Sequence, residues 1–155
     1  MKKIKGPSLS RRNAVLSGAA ASLLGANESK AAITTDIEGV PFTIGHLGAA
    51  LRAKHLSSVS IAETVLDRAE QLTSLGTFTS IDAERLLDGA RQADTSLARG
   101  KDLGPLHGIP LALKDNIDAV GYATTGGTPA LRNHFPTQNA PVTQRLIDAG
   151  GLIAG

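Results

Sequence analysis

The 155-residue chain contains no cysteine and no tryptophan. Without thiols there are no disulfides, no thiolate metal sites and no cysteine nucleophile, and the redox compartment stays open. Aromatic residues make up 3% against 41% hydrophobic residues, so a core must be aliphatic, built from Leu, Ile, Val and Ala. Long apolar runs are missing too. The uncharged run at residues 13–27 is too short to be a stable membrane anchor. Gly126-Gly127 has no Gly-x-x-x-x-Gly-Lys context that would make it a phosphate cradle. His46, His55 and His134 have no metal-ligand spacing, so no metal site is expected. His107, between Leu106 and Gly108, reads as a turn or packing residue.

The formal net charge of +2 hides an asymmetry. Lys2, Lys3, Lys5, Arg11, Arg12 and Lys30 all lie in the first 30 positions, with Glu28 the only acid there. Beyond residue 31 there are 10 basic and 13 acidic residues, a net charge of −3. The body therefore has no basic stripe for phosphates, and no nucleic-acid partner is expected. The leader has the order of an export signal: a basic segment to Arg12, a mildly apolar run, then small polar residues. Ser10-Arg11-Arg12 with Val15 and Leu16 behind it resembles a twin-arginine signal. Ser29-Lys30-Ala31 is the expected cleavage site. The reading is residues 1–31 as signal peptide, residues 32–155 as the domain, and a periplasmic or secreted destination. The alternative is a basic tail with a short Ala-rich helix.

The body alternates helices and short apolar runs. Thr43 is placed to cap a helix over residues 44–54, and Ser60 to cap a second that carries Ile61, Val65, Leu66, Ala69 and Leu72 on one face. Residues 76–81, "GTFTSI", alternate as a strand does. A third helix is expected over residues 82–99, stopped by Gly100. Residues 109–113, "IPLAL", read as a central strand. Residues 121–129 form a turn-rich loop, and residues 141–149 a fourth helix closed by Gly150-Gly151. "LIAG" then opens another strand, where the 155 residues end. A continuation, and hence a truncated protein or gene fragment, is expected. So is self-association through the unpaired edge of that strand.

Lys114 stands at the end of the apolar run "IPLAL", before Asp115 and Asn116. Loops at the C-terminal ends of strands carry the chemistry of α/β proteins. A lysine partly desolvated there would lose its proton more readily and could act as a general base. The bland alternative, which the residues alone favour, is a surface lysine paired with Asp115 or Asp118.

The wording of the segment adds to this. "GPLHGIPLALKDNIDAVGYATTGGTPAL", followed by "APVTQRLIDAGGLIAG", closely resembles the N-terminal part of the amidase signature family. The likeness runs from about residue 44 to 155. It is most specific over residues 104–116, where glycines, prolines, His107 and Lys114 fall in register. The resemblance implies the N-terminal part of an α/β/α fold around a mixed central sheet. It also implies amide-bond hydrolysis by a Ser–cis-Ser–Lys triad with an acyl-enzyme intermediate, a small-molecule amide substrate, and no metal or organic cofactor. Lys114 takes the position of the triad lysine. Asp115 and Asn116 would support its turn, and Thr125, Gly126, Gly127 and Thr128 would form a substrate-side loop.

The sequence departs from the family pattern in three places. Thr128 stands where Ser is usual, and Asn139 stands where Asp is usual before Ala140. The Gly/Ser-rich loop bearing both triad serines is not among the 155 residues, and Ser57, Ser58, Ser60, Ser74, Ser80 and Ser96 lie outside any such loop. The chain alone is therefore expected to be inactive. Two rival readings are a non-catalytic exported remnant or binding domain, and an amidotransferase-subunit-like protein, which the leader disfavours.

Overall fold

A computed structural model describes residues 36–155; the expected signal peptide and its cleavage site lie outside the described residues. The described part opens with a hairpin that the sequence reading did not anticipate. β1 (Asp36–Ile37) pairs antiparallel with β2 (Val40–Pro41), with Ile37 opposite Val40. Glu38 and Gly39 both have positive φ, 51° and 78°. Two successive left-handed residues make the tight turn whose twist suits a hairpin. Glu-Gly is a weaker signal for that turn than Asn-Gly, which is why the hairpin escaped notice.

Helix α1 (Ile44–Arg52) starts where expected, with the Thr43 hydroxyl accepting from the His46 N–H at 3.3 Å. It ends early, because the chain turns left-handed at Lys54 (φ 57°). There the N–H groups of His55 and Lys54 donate back to the carbonyls of Ala50 (2.9 Å) and Leu51 (3.1 Å). This is the Schellman pattern that closes a helix.

Helix α2 (Ser58–Gln71) is capped by Ser57, not by Ser60. The Ser57 hydroxyl accepts from the Ser60 N–H at 2.9 Å, and the Ser60 hydroxyl accepts from the Ser57 N–H at 3.2 Å. Two serines three residues apart thus form a reciprocal capping box, in which the first is the cap. The Asp94 carboxylate accepts the next two orphan donors, the N–H groups of Ser58 (2.7 Å) and Val59 (3.2 Å).

Asp94 belongs to helix α3 (Ala83–Ala98), which Asp82 caps and which packs against α2. Leu86, Ala90 and Ala93 repeat along the buried face of α3. Gly100, at φ 79°, ends the helix region as expected. Residues 76–81 are not a strand. Their alternation presents no consistent apolar face: Phe78 is half-buried and Ile81 exposed.

The run 109–113 supplies β3 (Pro110–Leu111), parallel to β4 (Leu152–Ile153) in the register Pro110 to Leu152 and Leu111 to Ile153. Hydrogen bonds extend the pairing at both ends. Gly108 N–H donates to Gly150 O (2.9 Å), and Leu113 N–H to Gly155 O (2.9 Å). Helix α4 (Pro141–Asp148) makes the crossover that a parallel pair requires. Among the described residues β3 pairs with β4 alone.

Two aliphatic clusters hold these parts together. Ile37, Leu47, Leu51, Ile61 and Ile109 form one, joining the hairpin, α1, α2 and the approach to β3. Ala62, Leu86, Ala90 and Ala154 form the other, seating the end of the chain on α2 and α3.

Candidate active site

The approach to β3 is held rigidly. His107 is buried. Its Nδ1 accepts the Leu103 N–H at 3.1 Å, so Nε2 carries the proton and donates to the Ala93 carbonyl at 2.9 Å. His107 is therefore a packing residue that ties the turn to α3. The Ser58 hydroxyl donates to the Gly108 carbonyl at 2.7 Å, which ties the same turn to α2. Gly150 passes so close that a Cβ there would lie 2.7 Å from His107 Cα. Arg52 clamps the preceding segment, with Nε and Nη2 on the Asp102 carboxylate (2.7 and 3.0 Å) and Nη2 also on Gly104 O (2.8 Å). The paired Arg52 guanidinium and the Gly104 N–H hold the Asp102 carboxyl below its ordinary range.

Lys114 follows this anchored strand. Leu113 N–H donates to Gly155 O behind it, and the Lys114 carbonyl accepts the Ile117 N–H at 2.9 Å in front. The side chain is exposed among the described residues. Lys114 does not pair with Asp115 or Asp118; no ion pair to its ammonium occurs among the described residues.

Asp115 faces the other way. Its carboxylate accepts the Thr125 N–H (2.8 Å), the Thr125 hydroxyl and the Gly127 N–H (3.3 Å), while its carbonyl accepts the Gly126 N–H (2.9 Å). The Thr125 hydroxyl and N–H, which stabilise the charged form, keep the carboxyl below its usual range. Gly126 and Gly127 both take positive φ, 58° and 73°, and both N–H groups turn back onto Asp115, one to its carbonyl and one to its carboxylate, so these donors point inward. The Thr128 N–H is engaged as well, on Thr125 O at 3.0 Å. Asn116 is exposed and makes no side-chain hydrogen bond among the described residues.

Tyr122 and Thr143, which the sequence did not single out, hold the rest of the loop together with Asn139. Tyr122, the chain's one tyrosine, is buried and donates its hydroxyl to Ile153 O at 2.9 Å, stapling the loop to β4. Burial pushes its phenol up, with Arg85 partly countering. Asn139 accepts the Val120 N–H at 2.8 Å, and the buried Thr143 hydroxyl donates to Asp118 O at 2.8 Å. A carboxylate at 139 would accept the Val120 N–H equally well, so the Asn leaves this contact intact. The side-chain amide also donates to Gln144 Oε1 at 2.9 Å, which a carboxylate would not. Only the isolation of a single tyrosine in an aromatic-poor chain hinted at any of this.

The site is thus an amine on an anchored strand end, beside a loop locked by the next residue's carboxylate. The comparisons with known proteins fit it. The Amidase family model matches residues 60–155. The chain belongs to the amidase signature family. It is 41% identical over 113 residues to mandelamide hydrolase of Pseudomonas putida, covering 73% of this chain and 22% of that protein. It is 40% identical to a glutamyl-tRNA(Gln) amidotransferase subunit of Gloeobacter violaceus over 114 residues, 73% of this chain and 23% of that one. The peptide amidase of Stenotrophomonas maltophilia superposes with a TM-score of 0.70 at 34% identity, over 74% of this chain and 24% of the other. The chain spans under a quarter of the length of the curated relatives named here. By their names these relatives include a hydrolase and a peptide amidase.

Proposed function

We propose that the chain contributes the lysine of a Ser–cis-Ser–Lys amidase site. The carrying observation is Lys114 in the register of the family's Lys-Asp-Asn segment, at the end of a strand anchored on both sides. In this reading the nucleophilic serine adds to the amide carbonyl. Its proton passes through the cis-serine to the Lys114 amine, and then to the departing amine. Water hydrolyses the resulting acyl-enzyme. Both serines belong to a Gly/Ser-rich segment that these 155 residues do not contain. β3 and β4 would then be two strands of a larger mixed sheet, with helices on either side.

The test is a hybrid in which residues 44–155 replace the matching part of mandelamide hydrolase. Amide hydrolysis is expected to survive in the hybrid and to fall about 10²–10⁴-fold in Lys114→Ala, as loss of a general base should produce. Turnover unchanged by Lys114→Ala would overturn the assignment. The 155-residue chain alone is expected to hydrolyse no amide. The amidotransferase-like reading rests on the 40% identity to the Gloeobacter violaceus protein and uses the same lysine; retention in the cytoplasm would favour it.

We infer export from the leader, residues 1–31. A reporter fused to residues 1–35 should leave the cytoplasm and should stay there with Arg11→Lys plus Arg12→Lys. Equal export of both fusions would refute the twin-arginine reading. Self-association through the outer edge of β4 is the companion proposal. Light scattering should give masses above the 15.9 kDa monomer, and a monodisperse monomer would contradict it.

A further inference from the structure

We propose that Asp115 and Thr125 form a clasp that positions Lys114, by tying the loop ten residues on back to the strand end. The proposal rests on Lys114 being the amine of the site described above. Three observations carry it. First, the residues on either side of Lys114 are fixed from opposite sides. Leu113 N–H is held by Gly155 O, and Asp115 is held through both its carboxylate and its carbonyl. Second, the exposed Lys114 ammonium has no ion-pair partner among the described residues, so only the backbone beneath it sets where the side chain starts. Third, the clasp is double. Thr125 gives both its N–H and its hydroxyl to Asp115, and the hydroxyl also accepts the Gly127 N–H at 3.1 Å. Asp115 and Thr125 are positioning residues: Thr125 holds Asp115, the residue bonded to Lys114, and neither touches a substrate. Asn116, although adjacent, contributes no side-chain contact to the clasp.

The test uses the 155-residue chain with ¹³C-dimethylated lysines, where the Lys114 signal is assigned by its loss in Lys114→Arg. Thr125→Val removes the hydroxyl and keeps the shape; Thr125→Ser restores the hydroxyl; Asp115→Asn weakens all the carboxylate contacts. In Thr125→Val and Asp115→Asn, amide exchange at Gly126 and Gly127 is expected to speed by about tenfold, the loss of a charge-assisted hydrogen bond. The Lys114 methyl signals should shift and sharpen as the side chain gains freedom, while the Lys101 signals stay put. Thr125→Ser should behave as the parent. If the loop amides loosen but the Lys114 signals do not move, the clasp is structural only and the proposal fails. If neither changes, or if Thr125→Ser does not rescue, it also fails. Should Asp115→Asn unfold the chain, the Thr125 pair decides alone. A clasp that passes this test beside a hybrid indifferent to Lys114→Ala would leave the positioning intact and sink the catalytic reading instead.

Discussion

Replacing Gly150 with alanine should destabilise the chain by about 2–4 kcal/mol, and two separate costs contribute. The residue sits at φ 87°, where an L side chain is strained by about 1–2 kcal/mol. The new Cβ would also fall 2.7 Å from His107 Cα and 3.1 Å from its Cβ and N. These are backbone and near-backbone atoms, so no rotamer change relieves the contact. His107 cannot withdraw, because its ring is fixed to Leu103 and Ala93 and the next residue's N–H is bonded to Gly150 O. Such overpacking costs about 1–3 kcal/mol. Loss of chain entropy in the unfolded state gives back about 0.4–1 kcal/mol. Gly39→Ala is the control: its φ is 78°, yet a Cβ there meets nothing within 4 Å. It should cost only the strain, about 1 kcal/mol. Urea unfolding followed by far-ultraviolet circular dichroism, with slopes checked for equality, measures both. Equal losses for the two variants would refute the claim that the His107–Gly150 approach is a tight backbone packing. A real excess for Gly150→Ala should also lower protection at Leu113, because the same register positions Lys114.

Lys54 holds a left-handed C-terminal position that glycine fills without strain, so Lys54→Gly should add about 0.5–1 kcal/mol and raise Tm by a few degrees in a thermal melt. Thr143→Val removes a buried hydroxyl, but Asp118 O keeps the Ala140 N–H at 2.9 Å. The loss in a urea titration should therefore stay near 1 kcal/mol, not reach the cost of an orphaned acceptor. The Asp115 carboxyl lies below its ordinary 3.8 in the folded chain. A carboxyl depressed on folding contributes its stabilisation above its unfolded value and loses it as pH falls through the folded one. Protection of the Gly127 amide, taken relative to the intrinsic exchange rate at each pH, should therefore be flat from neutrality to about pH 4 and fall only below it; a fall near pH 6 would refute the carboxylate as the lock.

Sequence reading found elements wherever a strong local signal was unopposed. Thr43 capped α1, Gly100 closed the region of α3, and the fourth helix began at residue 141. It failed where two signals of the same kind competed. Ser57 and Ser60 are both good caps, and only their reciprocal bonding shows which residue is the first. It failed again where alternation had no core to face, at residues 76–81. Lys114 is the instructive case. Its neighbours suggested either a desolvated base or an ion pair with Asp115 or Asp118, and no such ion pair forms. Asp115 is committed to donors ten and twelve residues away, a pairing that no local pattern encodes because it requires the loop to return. Thr125, Gly126 and Gly127 were legible as a group through the family likeness, but which way their N–H groups turned was not. Two consecutive positive φ angles turn both glycine N–H groups back onto Asp115, one to its carbonyl and one to its carboxylate. A lysine left without a local counter-charge, on a backbone secured from both sides, is placed to respond to groups brought to it from elsewhere. The clasp beside it determines where they must come.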